Sequence, residues 1–138
     1  MLYETSTSHQ KFILFAKVNI IYKTKNCNKF KSYFGEIMLI KIFVRTFAST
    51  EDCELFESIL ETRWPNLLQQ VKGVRFRAMK NPQTPNVSVV LWEFPDADSM
   101  RKIDKLIDEN IAKYVKTLSP KTIHFVGGVT QDFGETTF

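Results

Sequence analysis

One stretch, residues 87–118, constrains the fold of this chain more than any other. Its first eight residues, Val87–Phe94, are almost uniformly apolar and β-branched or aromatic, which is typical of a strand covered on both faces. Pro95 stops the strand, and Asp96 or Asp98 can cap a helix that begins immediately afterwards. The apolar positions of that helix are Met100, Ile103, Leu106, Ile107, Ile111, Val115 and Leu118. The stretch therefore predicts a central strand followed by one long amphipathic helix.

The segments before this stretch predict a strand and a further helix. Residues 39–47 alternate in the manner of a half-buried strand. Ser49 with the acidic residues after it is a helix-capping signal, and apolar residues then recur at helical spacing. Pro65 predicts a break in this first helix near Trp64, and Gly73 predicts its end.

Two further strands and the order of the elements complete the architecture. Residues 74–80 and 87–94, joined by a Pro-rich turn, predict a hairpin, and residues 122–126 predict a last strand. With right-handed crossovers, this order predicts an α+β protein with a ferredoxin-like βαββαβ antiparallel sheet and both helices on one face. We expect this domain to span residues 38–133, with a C-terminal tail at 134–138.

The composition of the chain limits the kinds of partner and cofactor that we expect for it. The chain has 138 residues, enough for one domain, and Cys27 and Cys53 are too few and unpatterned for a disulfide framework or a zinc site. We expect reduced thiols, no metal and no cofactor. We also expect a cytoplasmic protein with no membrane partner, because the apolar run near the start is short and lacks the features of a signal peptide. The net charge of +4 comes entirely from lysines before Met38, which argues against nucleic acid as a partner.

Residues 1–37 differ from the rest in being dense in Lys, Asn, Ile, Phe and Tyr. One hypothesis is that Met38 is the natural start and that these residues are an upstream extension that is not native. The alternative is a β-hairpin formed by residues 11–22 and 30–34 around a polar turn. Neither hypothesis gives the segment a recognisable chemistry.

The two faces of the predicted sheet are expected to have different partners. The residues expected to pack on the helices are Ile40, Ile42, Val44, Val74, Phe76, Val87, Val89, Leu91, Ile123 and Phe125. The open face then holds Lys41, Phe43, Arg45, Phe47, Arg75, Arg77, Met79, Val90, Trp92, Phe94 and His124. That face is too apolar to remain in water, so we expect the same face of a second copy to cover it in a homodimer.

The junction of the third strand and the second helix, WEFPDADSM at residues 92–100, carries a family resemblance. Together with the βαββαβ order, it resembles the dimeric α/β-barrel superfamily, especially its antibiotic biosynthesis monooxygenase type, over about residues 38–133. The resemblance implies that two sheets meet face to face in a barrel. It also implies that the barrel interior, lined by the open faces, binds hydrophobic and often planar aromatic molecules.

Two departures from the residues of that family limit the reactions that we expect of this chain. Haem-degrading members carry a His early on the second helix, where this chain has residues 100–103, MRKI. They also bring an Asn from the first strand into the pocket, where this chain has Phe43 or Arg45. Haem degradation is therefore not expected. The resemblance implies instead a cofactor-independent, monooxygenase-like function on a small aromatic or polyketide-like molecule in a cavity on the open face.

Such an enzyme needs a polar group that deprotonates or orients a phenolic substrate beside a dry aromatic wall. We predict His124 and Arg45 as catalytic residues, the first as general base and the second as anion partner. The predicted substrate-binding residues are Phe43, Arg77, Trp92 and Phe94.

Each of these predictions has a structural alternative. His124 can be a structural histidine, Arg45 and Arg77 can pair with acids across a subunit interface, and the aromatic residues can be interface packing. The whole protein can equally be a noncatalytic small-ligand-binding or structural homodimer. An RNA-recognition motif shares the element order, but Val89 and Leu91 stand where that module needs stacking aromatic residues.

Overall fold

A computed structural model describes residues 37–135 of the chain. Apart from Ile37, the segment covered by the two hypotheses on residues 1–37 lies outside the described residues, as do the last three residues of the predicted tail. The predicted domain boundaries stay a prediction.

Seven regular elements follow one another in the described part. They are β1 (Leu39–Thr46), α1 (Thr50–Leu67), β2 (Arg75–Met79), β3 (Val87–Phe94), α2 (Ala97–Asn110), α3 (Ala112–Leu118) and β4 (Lys121–Gly128), with a 3₁₀ turn (Leu68–Gln70) after α1. The strands form an antiparallel sheet in the order β2-β3-β1-β4. This is the ferredoxin-like α+β arrangement, and the predicted fold is confirmed.

The helix starts follow the predicted capping signals. The Ser49 hydroxyl accepts a hydrogen bond from the Asp52 amide at 3.1 Å, and the Asp96 carboxylate accepts one from the Ser99 amide at 2.7 Å. These bonds satisfy amide groups that a helix leaves unpaired at its N-terminus.

Two details of the helices differ from the prediction. The prediction of a helix break near Trp64 is wrong, because α1 continues through Pro65 to its end at Leu67. Burial of Trp64 against the sheet offsets the hydrogen bond that Pro65 cannot donate. The predicted long second helix is divided at Ile111, although the Ile111 amide still donates to the Ile107 carbonyl at 2.8 Å.

The helices pack on the side of β1, β3 and β4 that was predicted to be open, so the predicted assignment of faces is wrong for these three strands. For β2 it is right, because Phe76 contacts Trp64 of α1 while Arg75, Arg77 and Met79 lie on the other side. The helix-facing side holds Leu39, Lys41, Phe43, Arg45, Phe76, Ser88, Val90, Trp92, Phe94, His124 and Val126. Trp92 meets Trp64 of α1, with ring centroids 4.6 Å apart. The Lys41 amine reaches Asp104 of α2 at 2.8 Å, so the lysine buries its stem while its charge is paired at the edge.

The other side of the sheet, here called the open side, is aliphatic. It holds Ile40, Ile42, Val44, Val87, Val89, Leu91, Ile123 and Phe125, together with Arg75, Arg77 and Met79 of β2. The side chains of Ile123 and Phe125 are 72% and 56% exposed. The apolar face that lacks a helical layer is therefore the β-branched one.

Candidate functional site

An aromatic cluster joins α1 to the sheet. Trp92 of β3 makes edge contacts with Trp64 of α1 and with Phe76 of β2, at centroid distances of 4.6 and 4.9 Å. Phe94 stacks on Trp92 at 5.9 Å. Edge-to-face contacts of this kind add to the energy of burial, so the cluster is a defined wall.

A groove of about 440 Å³ lies between α1 and β2, on the outer side of this wall. It is lined by Glu57, Leu60, Glu61, Trp64, Pro65, Leu68, Phe76, Ala78, Met79 and Lys80. Its volume and its mainly apolar lining fall within the range of small-molecule sites.

A second, inner cavity lies deeper, between the sheet and the helices. Its volume is about 10 Å³, the lower limit for one water molecule. It is lined by Phe43, Arg45, Leu60, Trp64, Phe76, Val90, Trp92, Ile107 and Ile111. Leu60, Trp64 and Phe76 line both spaces, so these three side chains form a partition between the groove and the inner cavity.

Arg45 brings a charge to the inner cavity. The residue is only 6% exposed, and its guanidinium carbon lies 4.3 Å from the Phe43 ring centroid and 5.2 Å from that of Phe56. Its Nε has no hydrogen-bond partner, and no acid of the described range forms an ion pair with it. Burial lowers the pKa of Arg45 to about 10, so the side chain remains cationic at neutral pH.

Ser88 stands directly opposite Arg45 in the β1–β3 register. The residue is 1% exposed, and its hydroxyl has no partner in the described part of the chain. Most buried polar atoms in proteins are hydrogen-bonded, so two unpartnered ones on paired positions are unusual.

The rim of the groove holds a charged chain of contacts. The Lys80 amine pairs with Glu57 at 3.1 Å, and the Cys53 thiol donates to the same carboxylate at 3.6 Å. Burial, followed by the charge of Glu57, raises the pKa of Cys53 to about 11. Cys53 is therefore a neutral thiol at physiological pH and a poor nucleophile.

The structure brings most of the predicted site residues to one side of the sheet. Phe43, Arg45 and Trp92 line the inner cavity, and Phe94 lies behind Trp92. His124 is exposed beside Phe43, with ring centroids 6.1 Å apart, and it lines neither space.

Arg77 is the exception among the predicted site residues. It lies on the open side and pairs with Glu93 of its own chain at 3.4 Å. The prediction that placed Arg77 on the same face as Trp92 is wrong, because Phe76, not Arg77, is the register partner of Trp92. The predicted roles of the other residues in binding and catalysis stay predictions.

Trp64 and Phe76 line both spaces and were not predicted as site residues, and neither was the unpartnered Ser88, which lines neither space. Trp64 follows Leu60 by four residues on the buried face of α1, a spacing that could have indicated it. Ser88 interrupts an otherwise apolar strand, and a lone hydroxyl in such a strand is a signal of its own.

The described part of the molecule contains neither a cluster of metal-binding side chains nor a membrane-spanning helix. Across residues 37–135, no group of three or more His, Cys, Asp or Glu side chains is arranged to hold a metal ion. No helix in that range has the length and apolar character needed to cross a membrane.

The comparisons with known proteins reveal similarity in structure. The sequence matches no protein-family profile and no curated protein. A dimeric ferredoxin-like protein from an uncultured marine organism superposes with a TM-score of 0.62 at 19% identity, over 73% of this chain and 95% of its own. A second protein of that description gives 0.57 at 15% identity, over 71% of this chain and all of its own.

SnoaB, a cofactor-independent oxygenase from Streptomyces nogalater, has a TM-score of 0.54 at 16% identity, over 72% of this chain and 99% of SnoaB. At sequence identities this low, the superpositions establish a common fold. The described domain therefore has the ferredoxin-like fold that these dimeric proteins and SnoaB share.

Proposed function

We propose that this protein is a cofactor-independent oxygenase that acts on small aromatic molecules in the space between α1 and the sheet. The observation that carries the proposal is the aromatic-walled groove, which is separated only by the partition from a cavity containing a buried cationic Arg45. The similarity to SnoaB in fold supports the choice of reaction. This location replaces the cavity that the sequence predicted on the open side.

The residues that line the groove and the inner cavity suit such a reaction. Loss of the phenolic proton to a base leaves a negative charge on the substrate, and this anion then gives electrons to oxygen. A fixed cation in a dry cavity stabilises the anion before it is oxidised. Arg45 supplies the cation, and its low-dielectric surroundings strengthen the interaction. Trp64 and Phe76 offer faces on which an aromatic ring can stack.

Oxygen uptake tests this function. The full chain is incubated with one-, two- and three-ring phenols and a metal chelator, and oxygen consumption is followed with an electrode and products by mass spectrometry. At least one phenol is expected to be oxidised faster than without protein. Arg45→Met should lower that rate by about 100-fold, as expected when a charge-stabilising group is removed.

Arg101→Met is the matched control, since Arg101 is exposed on α2, away from the groove and from the open side, and its rate should equal that of the unmodified protein. His124→Ala tests the predicted base: lost turnover with an unchanged melting temperature supports that role, and a lowered melting temperature with full turnover contradicts it. Ligand binding without any oxygen uptake would favour the noncatalytic alternative.

We propose further that two copies pair through their open sides. The aliphatic composition of that side and the exposure of Ile123 and Phe125 support this arrangement. The two marine proteins of the same fold are described as dimeric. A self-complementary sheet face is also what a two-fold symmetric dimer requires.

A further inference from the structure

We propose that the groove between α1 and β2 binds an extended peptide segment of a partner protein, which adds to the sheet as a further strand on the outer edge of β2. The segment carries basic side chains on either side of an aromatic one. This interaction goes beyond the proposed reaction and does not depend on it, although a peptide and a small aromatic ligand compete for the same groove.

The groove follows β2 over most of its length. At one end the Lys80 amine pairs with Glu57 of α1 at 3.1 Å, and towards the other end Phe76 stacks on Trp64 with ring centroids 6.1 Å apart. α1 and β2 therefore lie side by side and run in opposite directions, with the groove between them. The lining residues on the helical side begin at Glu57 and end at Leu68, about 16 Å of helical chain. That is the length of about five residues of a strand.

β2 is an edge strand, so one row of its backbone groups is available to a partner. Among the described residues it pairs with β3 alone, and this pairing uses its inner edge. The groove reaches the outer edge, because it is lined by both Ala78 and Met79, and neighbouring residues of a strand project to opposite sides of the sheet. An edge strand presents N–H and C=O groups on which a further strand can form. An extended peptide in the groove therefore has main-chain partners along β2.

The side chains around the groove specify the kind of peptide. Trp64 and Phe76 offer an apolar surface to a side chain that points from the added strand into the groove. The rim carries the carboxylates of Glu57 and Glu61 against the single amine of Lys80, which already pairs with Glu57. Glu61 is exposed and forms no ion pair with another described residue. A basic side chain beside an aromatic one complements this arrangement.

The C-terminal segment of a second copy does not have this chemistry. Residues 129–138 contain Asp132 and Glu135 and no lysine or arginine, so that segment would bring negative charge to an acidic rim. The partner is therefore a different protein that offers a short basic segment of strand-forming residues.

Isothermal titration calorimetry on the full chain tests this inference with the peptide acetyl-TKTFTKT-amide. Its sequence reads the same in both directions, so it presents lysine, phenylalanine and lysine on one side whichever way the added strand runs. The matched probe acetyl-TETFTET-amide differs only in the sign of its charges. We expect the lysine peptide to bind, and the glutamate peptide to bind at least about tenfold more weakly, because like charges then meet at the rim.

Two modified peptides distinguish addition of a strand from packing of side chains alone. One carries an N-methyl group on the central phenylalanine, and the other carries it on the threonine that follows. The amides of neighbouring residues point to opposite edges of a strand, so only one of these two amides can donate to β2. One modified peptide should therefore lose about tenfold or more in affinity, and the other should bind as the parent does. Equal affinities of the two modified peptides would contradict strand addition.

Two protein variants locate the site. Glu61→Lys should weaken the lysine peptide by about tenfold and strengthen the glutamate peptide, since it reverses the charge at the rim. Glu109→Lys makes the same change on the exposed surface of α2, away from the groove, and should leave both affinities unchanged. Equal effects of the two variants, or a lysine peptide that does not bind the unmodified protein, would overturn the peptide site and leave the proposed oxidation of phenols standing.

Discussion

Arg45 places a positive charge where the interior of a small protein ordinarily holds an aliphatic side chain. In the folded protein burial lowers its pKa from the ordinary value to about 10, so the folded state binds this proton less tightly than the unfolded state does. At neutral pH both states carry the proton, and the buried charge therefore lowers the free energy of unfolding. A ligand site maintained at a cost in stability is common at functional positions.

Arg45→Met is accordingly expected to stabilise the protein while it lowers the rate of oxygen uptake. Replacement of a buried charge by an apolar side chain of similar size typically raises stability by about 1 to 4 kcal/mol. Urea unfolding at pH 7 measures the difference. The gain should shrink as pH rises above about 10, since the unmodified protein loses its charge first in the folded state. A variant less stable than the unmodified protein would mean that Arg45 has a partner in the folded chain.

At the scale of single elements, the start of α2 rests on one side-chain contact. The Asp96 carboxylate accepts from the Ser99 amide, and the aspartate also lies favourably at the positive end of the helix. Asp96→Ala should therefore lower the free energy of unfolding by about 1 kcal/mol, as measured in urea.

The matched control for that variant is Asp108→Ala, because Asp108 is exposed within the same helix. It should change stability by less than about 0.5 kcal/mol. Equal losses from the two substitutions would show that negative charge on the helix matters more than the cap.

The sequence predicted the elements well because their signals are local. Capping residues, alternation and the Pro-rich turn each act over a few positions, and β3 was predicted at its observed bounds. The side on which the helices pack depends instead on contacts between distant segments. Both faces of β1 are apolar, and the face that carries Lys41 and Arg45 was predicted to lie away from the helices, against a second copy.

The same dependence on contacts between distant segments explains which site residues were predicted correctly and which were not. Phe43, Arg45 and Trp92 were predicted as one group because period-two alternation and strand order place them on one face, whichever way that face points. Arg77 was misplaced because the β2–β3 register is not encoded in either strand alone. Ser88 is recognisable as a lone hydroxyl within β3, but its pairing with Arg45 depends on a register that no pattern within β3 supplies.

At the scale of the whole molecule, we propose a different role for each side of the sheet. The helix-facing side holds the ligand, and the open side holds a second copy. Ile42 lies on β1, which is central in the sheet, and its side chain projects from the open side.

Ile42→Asp should convert a dimer into a monomer, because it would bury a carboxylate without a partner in the interface. Light scattering on the full chain measures the molar mass, which should halve relative to the unmodified protein. Thr117→Asp, on the exposed surface of α3, should remain dimeric. An unmodified protein that is already a monomer would contradict the proposed assembly.

The contact between Trp64 and Trp92 has an optical consequence. These are the only two tryptophans in the chain, and their rings lie 4.6 Å apart at an angle of 75°. Two indoles so close and so steeply inclined couple their electronic transitions, which gives a paired band in the circular dichroism spectrum. Trp64 belongs to the partition and Trp92 to the sheet behind it, so a ligand in the groove that tilts the Trp64 ring would weaken that band. The protein thus has a built-in spectroscopic signal for ligand binding in the groove.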